Sequence, residues 1–389
     1  MKIRTASDVA ASKKRGHANR DRKRKRNPPK PRLNHLNTAE CAEATIDTTT
    51  LPSTSTGYSG KNKTEAEKTK AGEKVGEMGR IPENREYRLD EVVDDGVFNF
   101  ELIKHRPGVS QYVQCKDTKK IMSVVIPGPC NDPTWDPDME IAADVVREAR
   151  EKCHFSDDDK RRGLFDFTNF GASIGMGQPK PMMLMDQGTK NRQVMEMIRC
   201  HDVFRRIAGF MTICFACWAP ELFAYYQIIT NTLLQSQPEL RLPFDNSIFA
   251  AFTVNFGPRT ICLPHRDQKN LAFGWCAITS LGRFNWKKGG HLILWELGIV
   301  IEFPPGTIIL VPSAIVCHSN TSIASDEDRY SFTMYSAGGL FRWVEHGFQL
   351  EYKYQQTRQA VLDAVANSTC WATGLSLFST YEELVSKAQ

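Results

Sequence analysis

Residues 291–313 read HLILWELGIVIEFPPGTIILVPS. Three runs of aliphatic and β-branched residues are cut first by one glycine and then by Pro-Pro-Gly, and such breaks do not sit inside a helix. The runs are of strand length, too short for ordinary helices. Working outward, the same texture recurs in SIFAAFTVNF (247–256), LAFGWCAITSL (271–281) and RYSFTMYS (329–336), with turn signals at intervals of roughly ten residues. Short, evenly spaced strands predict an antiparallel barrel or jelly roll. Upstream the period changes. Residues 138–155 (DMEIAADVVREAREKCHF) set apolar side chains at 141, 145, 146 and 149 behind Asp138 as a cap, which predicts an amphipathic helix. Helical patterns return at 191–210 and 218–236. The expected class is α+β, a double-stranded β-helix (jelly roll) core flanked by helices.

The chain of 389 residues is 41 % hydrophobic, enough for a sizeable core. Its charge is unevenly spread. The first 32 residues hold 13 Lys or Arg, including KKR at 13–15 and RDRKRKR at 20–26, against Asp8 and Asp21. Residues 33–389 then carry 37 basic and 43 acidic side chains, so a body of net −6 follows a basic tail. Residues 1–82 are rich in Lys, Thr, Ser and Glu and nearly free of aromatics, a composition too polar to offset ordering entropy, so a disordered basic tail is expected there. Its two basic clusters predict a nuclear address and an attraction for phosphate backbone. Order is expected from near Tyr87, in a domain over 83–352 with a helical part at about 138–240 and a jelly-roll part at about 245–345. A helical extension at 353–389 closes the chain. No apolar h-region opens the sequence, so no secretory signal is expected. The longest apolar run, IAGFMTICFACWAPELFAYY (207–226), is interrupted by Pro220 and Glu221 and reads as two buried helices, with no membrane span expected. Eleven cysteines without regular spacing predict reduced thiols, with Cys214 and Cys217 in the core.

The segment CLPHRDQKNLAFGWCAITSL (262–281) raises a different question, because three consecutive polar side chains, His265, Arg266 and Asp267, stand inside an apolar, β-rich run. Burying an unpartnered ionised group is costly, and a metal ion removes that cost. In extended backbone residues i and i+2 share a face, so His265 and Asp267 converge while Arg266 faces away. His318, just after TIILVP, is the candidate third ligand. Two histidines and a carboxylate form the facial triad of non-haem Fe(II) oxygenases. Arg329, eleven residues on, offers a bidentate partner for a dicarboxylate.

This ordered set resembles the Fe(II)/2-oxoglutarate-dependent dioxygenases. HRDQKN resembles the H-R-D-x-x-N of the TET/JBP family, whose members oxidise methylated nucleobases. NFGP (255–258), HRDxxNLxFGWCAITSLG (265–282), KKGGHLILWELGIVIEFPPGTIILVPSA (287–314), CHSNTSI (317–323) and YSAGGLFRW (335–343) are similar to TET/JBP-like proteins of mushroom-forming fungi. The likeness covers roughly residues 160–350. It implies Fe(II) on His265, Asp267 and His318 as catalytic metal ligands, 2-oxoglutarate on Arg329 with Ser331, His291 and Arg259 as further contacts, and O₂ as cosubstrate. It also implies Asn270 on an extruded base. GASIGMGQ (171–178) is similar to the family's glycine- and serine-rich element. Where animal members place a histidine against the base, this chain has Ala337.

The implied activity is oxidation of methylated bases in DNA, 5-methylcytosine to 5-hydroxymethylcytosine and further, with N6-methyladenine left open by Ala337. The implied partner is nucleic acid, duplex DNA with a flipped base, with no membrane and no obligate protein partner evident. Two alternatives stand beside it: a prolyl-hydroxylase-like protein hydroxylase, and a non-catalytic nucleic-acid-binding relic of a mobile element. Trp343, beyond the last strand, is a candidate for base stacking, whereas Trp275 and Trp295 read as core.

Overall fold

The computed structural model describes residues 36, 38–44, 82–94, 97–155, 162–175, 177–184, 188–359 and 374–388. The described chain starts with β1 (Glu40–Ala44), α1 (Leu89–Val93), β2 (Glu101–Ile103), β3 (Gln111–Cys115), β4 (Ile121–Ile126) and α2 (Trp135–Lys152). Then come β5 (Phe167–Ser173), β6 (Met182–Met183), α3 (Gly188–Cys200), α4 (Asp202–Trp218) and α5 (Pro220–Ser236). The second half contains β7 (Ala251–Asn255), β8 (Cys276–Arg283), β9 (Leu292–Leu294), β10 (Ile299–Ile301), β11 (Ile308–Val311), β12 (His318–Asn320) and β13 (Asp328–Tyr335). Helices α6 (Gly338–Glu345), α7 (Glu351–Tyr354) and α8 (Tyr381–Ala388) end it.

Nine strands form the larger sheet in the order β1-β3-β4-β11-β8-β13-β7-β5-β6, and four form the smaller one, β12-β9-β10-β2. All pairings are antiparallel except β1 with β3 and β10 with β2. This is the expected α+β class, a double-stranded β-helix flanked by helices. The strands quoted from 291–313 are buried at every position of β9, β10 and β11 because both faces are covered, so they read as unbroken apolar runs. Helix α2 lies against β8 and buries Trp135, Met139, Ala142, Val146 and Ala149, one stripe at helical spacing. The smaller sheet is sealed by a second apolar cluster. There Tyr87, Phe98 and Phe100 pack edge-on against Trp295, with ring centroids 4.9, 5.2 and 5.6 Å away for Tyr87, Phe98 and Phe100.

Several expectations are corrected. Helix α2 begins at Trp135 behind Thr134 rather than at Asp138, because Pro137 falls in the first turn, where its missing N–H has no intrahelical acceptor to lose. Asp138 is a partner of Arg206 instead, beside Asp132 at 2.5 Å. The pattern at 191–210 is two helices, since His201 caps α4 by accepting from the Val203 N–H at 3.3 Å. The region read as helical also contains β5, FTNFGAS, which carries the large sheet beyond β7. Within the segment read as disordered, Glu40–Ala44 is a strand on the open edge of β3, a gain in backbone hydrogen bonds that composition does not register. The basic clusters at 13–15 and 20–26 lie outside the described residues. Trp343 is only 8 % exposed and packs into the core, so it offers no free face for stacking. Cys214 is buried among apolar neighbours, as expected. The C-terminal extension docks on the domain: Phe378 and Leu384 are buried, and Tyr381 stacks on Tyr112 at 5.0 Å while its hydroxyl donates to the Leu36 carbonyl at 2.6 Å. No helix among the described residues is long and apolar enough to cross a membrane.

Trp295 also donates its indole N–H to Ser319 at 2.9 Å, next to His318. Trp295→Ala should therefore cost about 3–5 kcal/mol in urea unfolding. It should weaken divalent-metal binding in the fraction that stays folded. A variant as stable as the parent would show that this cluster does not support the smaller sheet.

Candidate metal centre

His265 and His318 form an isolated antiparallel bridge between the loop that follows β7 and the first residue of β12. Their backbones exchange two hydrogen bonds, His265 N–H to His318 carbonyl at 3.1 Å and His318 N–H to His265 carbonyl at 2.9 Å. Side chains directly opposite in such a pair project to the same side. The imidazole centroids are accordingly 4.3 Å apart.

Each ring is held the same way. Nδ1 of His265 lies 2.7 Å from the Leu263 carbonyl and Nδ1 of His318 lies 3.0 Å from the Val316 carbonyl. A carbonyl only accepts, so Nδ1 carries a proton and Nε2 is the nitrogen turned to Asp267. Asp267 completes the group, with Oδ1 3.8 Å from His265 Nε2 and Oδ2 4.0 Å from His318 Nε2. The three donor atoms lie within 4.8 Å of one another, and among the described residues no other group of His, Cys, Asp or Glu has this geometry.

Electrostatics prepare the three for a cation. Burial, then the neighbouring imidazole, pushes the His265 pKa down to about 3, keeping the ring neutral. Burial by itself would raise the Asp267 carboxyl, but its charged surroundings, the Arg162 guanidinium 2.9 Å from Oδ1 first among them, outweigh it and hold the group anionic. The Arg162 contact is an ion pair and not an aligned hydrogen bond: Oδ1 is buried and accepts none. Two imidazoles, each held by a carbonyl at Nδ1, and a carboxylate with an unused oxygen fit a divalent metal with open positions.

Arg266 does face away, and the reason is now visible. Its guanidinium is paired with Glu296, whose side chain is almost wholly buried, and its Nε donates to the Ile315 carbonyl at 3.3 Å. The second Glu296 oxygen accepts from the Cys317 N–H at 2.6 Å. The middle residue of HRD is thus a strut that ties the first two ligands to the strand bearing the third.

Arg329, on β13, is fully buried, and no carboxylate pairs with it among the described residues. One amino group donates to the Thr260 carbonyl at 2.6 Å and lies 3.5 Å from Asn320 Oδ1, while Nε has no partner. Burial pulls its pKa down to about 10. Gly290 makes the room it occupies: at φ +73 its backbone favours glycine, and a Cβ there would stand 2.6 Å from the Phe284 ring and 3.1 Å from Arg329 Nε. His291 follows, buried, with Nδ1 2.9 Å from the Thr321 hydroxyl and Nε2 unpartnered. Burial and the Arg329 charge lower its pKa to about 4. Ser331 Oγ accepts from the Asn255 amide at 2.7 Å, which leaves its own proton free to donate. A buried cation short of acceptors beside an unused hydroxyl proton and an unpartnered ring nitrogen fits a small dicarboxylate.

The other two candidates differ. The Arg259 backbone bridges that of Arg329, but its guanidinium turns to the Ile323 carbonyl at 3.2 Å and to Glu86 at 3.6 Å. The Asn270 amide points inward, its nitrogen 3.1 Å from Cys276 Sγ and 3.3 Å from Ser313 Oγ. Its backbone bridges Ala337, so the missing-histidine position is its neighbour. Arg162, Glu296 and Ser313 had no signal in the sequence, since each comes from a segment remote from HRD. A cleft of about 1250 Å³, bounded by Trp135, Trp286, His105 and several prolines, lies elsewhere and holds none of the triad.

No family model matches the chain, and no curated protein sequence matches it. Solved structures similar to it include NgTET1 in complex with 5mC DNA, at 15 % identity and TM-score 0.43 over 61 % of this chain and 78 % of that one. An oxidoreductase of the 2OG-Fe(II) oxygenase family from Burkholderia pseudomallei is similar at 13 % identity and TM-score 0.30, over 55 % of this chain and 85 % of that one. The viral collagen prolyl hydroxylase vCPH from Paramecium Bursaria Chlorella virus-1, in its 2OG complex, is similar at 15 % and 0.25, over 50 % and 89 %. At such scores these likenesses have no weight for the site or substrate, which rest on this chain's own side chains.

Glu296→Ala leaves the Arg266 guanidinium buried and unpaired, and should cost about 3–5 kcal/mol in denaturant unfolding. Glu296→Gln, which keeps one acceptor, should cost less. Equal stabilities for parent and both variants would remove the strut.

Proposed function

We propose that this chain is an Fe(II)/2-oxoglutarate-dependent dioxygenase that oxidises the methyl group of a modified nucleobase in DNA, with 5-methylcytosine as the first candidate. One observation carries the reaction type: two imidazoles and a carboxylate share one point, in a fold that also buries Arg329 without a carboxylate partner among the described residues. His265, Asp267 and His318 hold the metal. Arg329 binds the distal carboxylate of 2-oxoglutarate, Ser331 donates its free proton to the same group, and the unpartnered His291 Nε2 faces the cosubstrate. When both are bound, iron and 2-oxoglutarate supply O₂-dependent hydroxylation of a C–H bond, with succinate and CO₂ as coproducts.

The substrate class is supported by the HRDQKN likeness and by the rim of the site. The Arg162 carbonyl accepts from the Leu263 N–H at 2.8 Å, and at Gly163 a Cβ would stand 2.3 Å from the Ile261 carbonyl. This pinned turn presents Leu164, 83 % exposed, two residues from the guanidinium on Asp267. A base inside a duplex reaches a buried metal only when flipped, at a cost of a few kcal/mol. An apolar side chain at the rim fills the vacated stack. Ala337, small and beside Asn270, admits N6-methyladenine as well as 5-methylcytosine. The basic clusters at 13–15 and 20–26 serve as the nuclear address and as phosphate contacts, and a reporter fused to residues 1–32 that stays out of the nucleus would remove the address.

Incubation with methylated duplex, Fe(II), 2-oxoglutarate and ascorbate should give hydroxylated nucleoside by mass spectrometry, and His265→Ala should give none. Turnover seen only with a proline-containing peptide would favour the protein-hydroxylase alternative, for which the net −6 body speaks. Leu164→Ser should slow oxidation of duplex by about tenfold, a loss of order 1.4 kcal/mol, while sparing single-stranded substrate. Equal losses on both would sink the stack-filling role.

A further inference from the structure

Four buried hydroxyls make no hydrogen bond among the described residues: those of Ser123, Thr168, Ser280 and Thr307. A buried polar group left unpaired costs free energy, so each such group in a fold calls for an explanation. Of the four, only Ser280 stands on a strand paired with β13, the strand that carries Arg329. Its side chain is wholly buried, while its carbonyl accepts from the Gly306 N–H at 2.9 Å. The adjacent Thr279 gives the contrast: on the other face of β8, its hydroxyl donates to the Thr307 carbonyl at 2.9 Å. The fold uses one hydroxyl and leaves its neighbour idle.

The register of β8 and β13 says where the idle one points. Ser331 lies directly opposite Ser280, and Gly282 lies opposite Arg329. Opposite residues of an antiparallel pair project to one side, and so do residues two apart on a strand. Ser280, Ser331 and Arg329 therefore share a face, and Gly282 puts no side chain between Ser280 and the guanidinium. A side chain at Gly282 is barred twice, since its φ is +111 and a Cβ would stand 2.3 Å from the Asp328 carbonyl oxygen.

Cβ atoms of opposite residues are about 5 Å apart. One oxygen set between two serine hydroxyls at that spacing can accept from both at about 2.7 Å. Ser331 has its proton to give, because its oxygen accepts from the Asn255 amide. With the Ser280 hydroxyl and Arg329 Nε, both unpartnered, three donors lie on one buried face.

We propose that Ser280 is a cosubstrate-binding residue, a second hydroxyl donor to the distal carboxylate of 2-oxoglutarate beside Ser331 and Arg329. The inference rests on the cosubstrate part of the proposed function and is independent of the nucleobase. It gives the two serines different standing. Ser331 is tied to Asn255 within the fold, whereas Ser280 gains its hydrogen bond from the ligand, so binding relieves an unpaired group as well as adding a contact.

The test uses full-length protein with Co(II) in place of iron, so that 2-oxoglutarate binding is read by calorimetry without turnover. Ser280→Ala should weaken 2-oxoglutarate binding about tenfold to a hundredfold, the range for a hydrogen bond to a charged group, and should bind Co(II) like the parent. Ser280→Cys, a weaker donor of similar shape, should fall between the two. In urea without ligand, Ser280→Ala should be at least as stable as the parent, because it removes a hydroxyl that the fold leaves unpaired. A less stable or unfolded Ser280→Ala would assign the hydroxyl to the fold and overturn the inference. Parent-like 2-oxoglutarate affinity in Ser280→Ala, or an equal loss of Co(II) affinity, would overturn it too while leaving the cosubstrate reading in place. A parent that binds Co(II) but no 2-oxoglutarate would sink that reading, and this inference with it.

Discussion

The two-bond backbone exchange between His265 and His318 is the contact on which the rest depends. It is a sheet pairing of only one residue on each side, set between a loop of the larger half and the edge of the smaller sheet. Its effect is out of proportion to its length, because residues opposite in an antiparallel pair cannot separate without breaking both bonds. The two imidazoles are therefore placed by backbone geometry, and their rings need only the Leu263 and Val316 carbonyls to finish the orientation. A metal site built this way is pre-formed, so binding does not have to order the chain first.

Around that pair the protein distributes buried charge so that each group has one job. Arg266 neutralises Glu296 and locks the HRD loop to the strand of the third ligand. Arg162 keeps Asp267 anionic from the open side. Arg329 stands apart from both, and its charge is answered only by carbonyl and amide oxygens. Three arginines thus divide into a strut on Glu296, an ion-pair partner of Asp267 and a buried cation with no carboxylate partner among the described residues, a division set by which carboxylate lies within reach and not by residue type.

Much of the site was legible because its members repeat strong local rules. The i, i+2 spacing of His265 and Asp267 aims both to one face, and the position of His318 after TIILVP follows from strand lengths. Arg329 stood out as a cation in a strand that buries nearly everything. What was not legible came from elsewhere in the chain. Arg162 sits in a segment without motif, Ser313 closes a strand run whose sequence marks it as a turn and nothing more, and only packing brings them to Asp267. Asn270 was assigned outward by likeness, whereas the interior holds its amide nitrogen because Cys276 and Ser313 present acceptors there. Residues 40–44 were missed for a similar reason: their composition is that of a tail, and the open edge of β3 makes them a strand.

The strand and helix texture, the split of basic tail from acidic body, and the chemical kinds of ligand were determined by the sequence alone, since period, turn residues and side-chain type act over a few positions. Which strands pair, which carboxylate meets which guanidinium, and which way an amide points were decided only in the tertiary structure. Those outcomes depend on contacts between residues tens to hundreds of positions apart, such as Arg162 with Asp267, whose energies no local window contains.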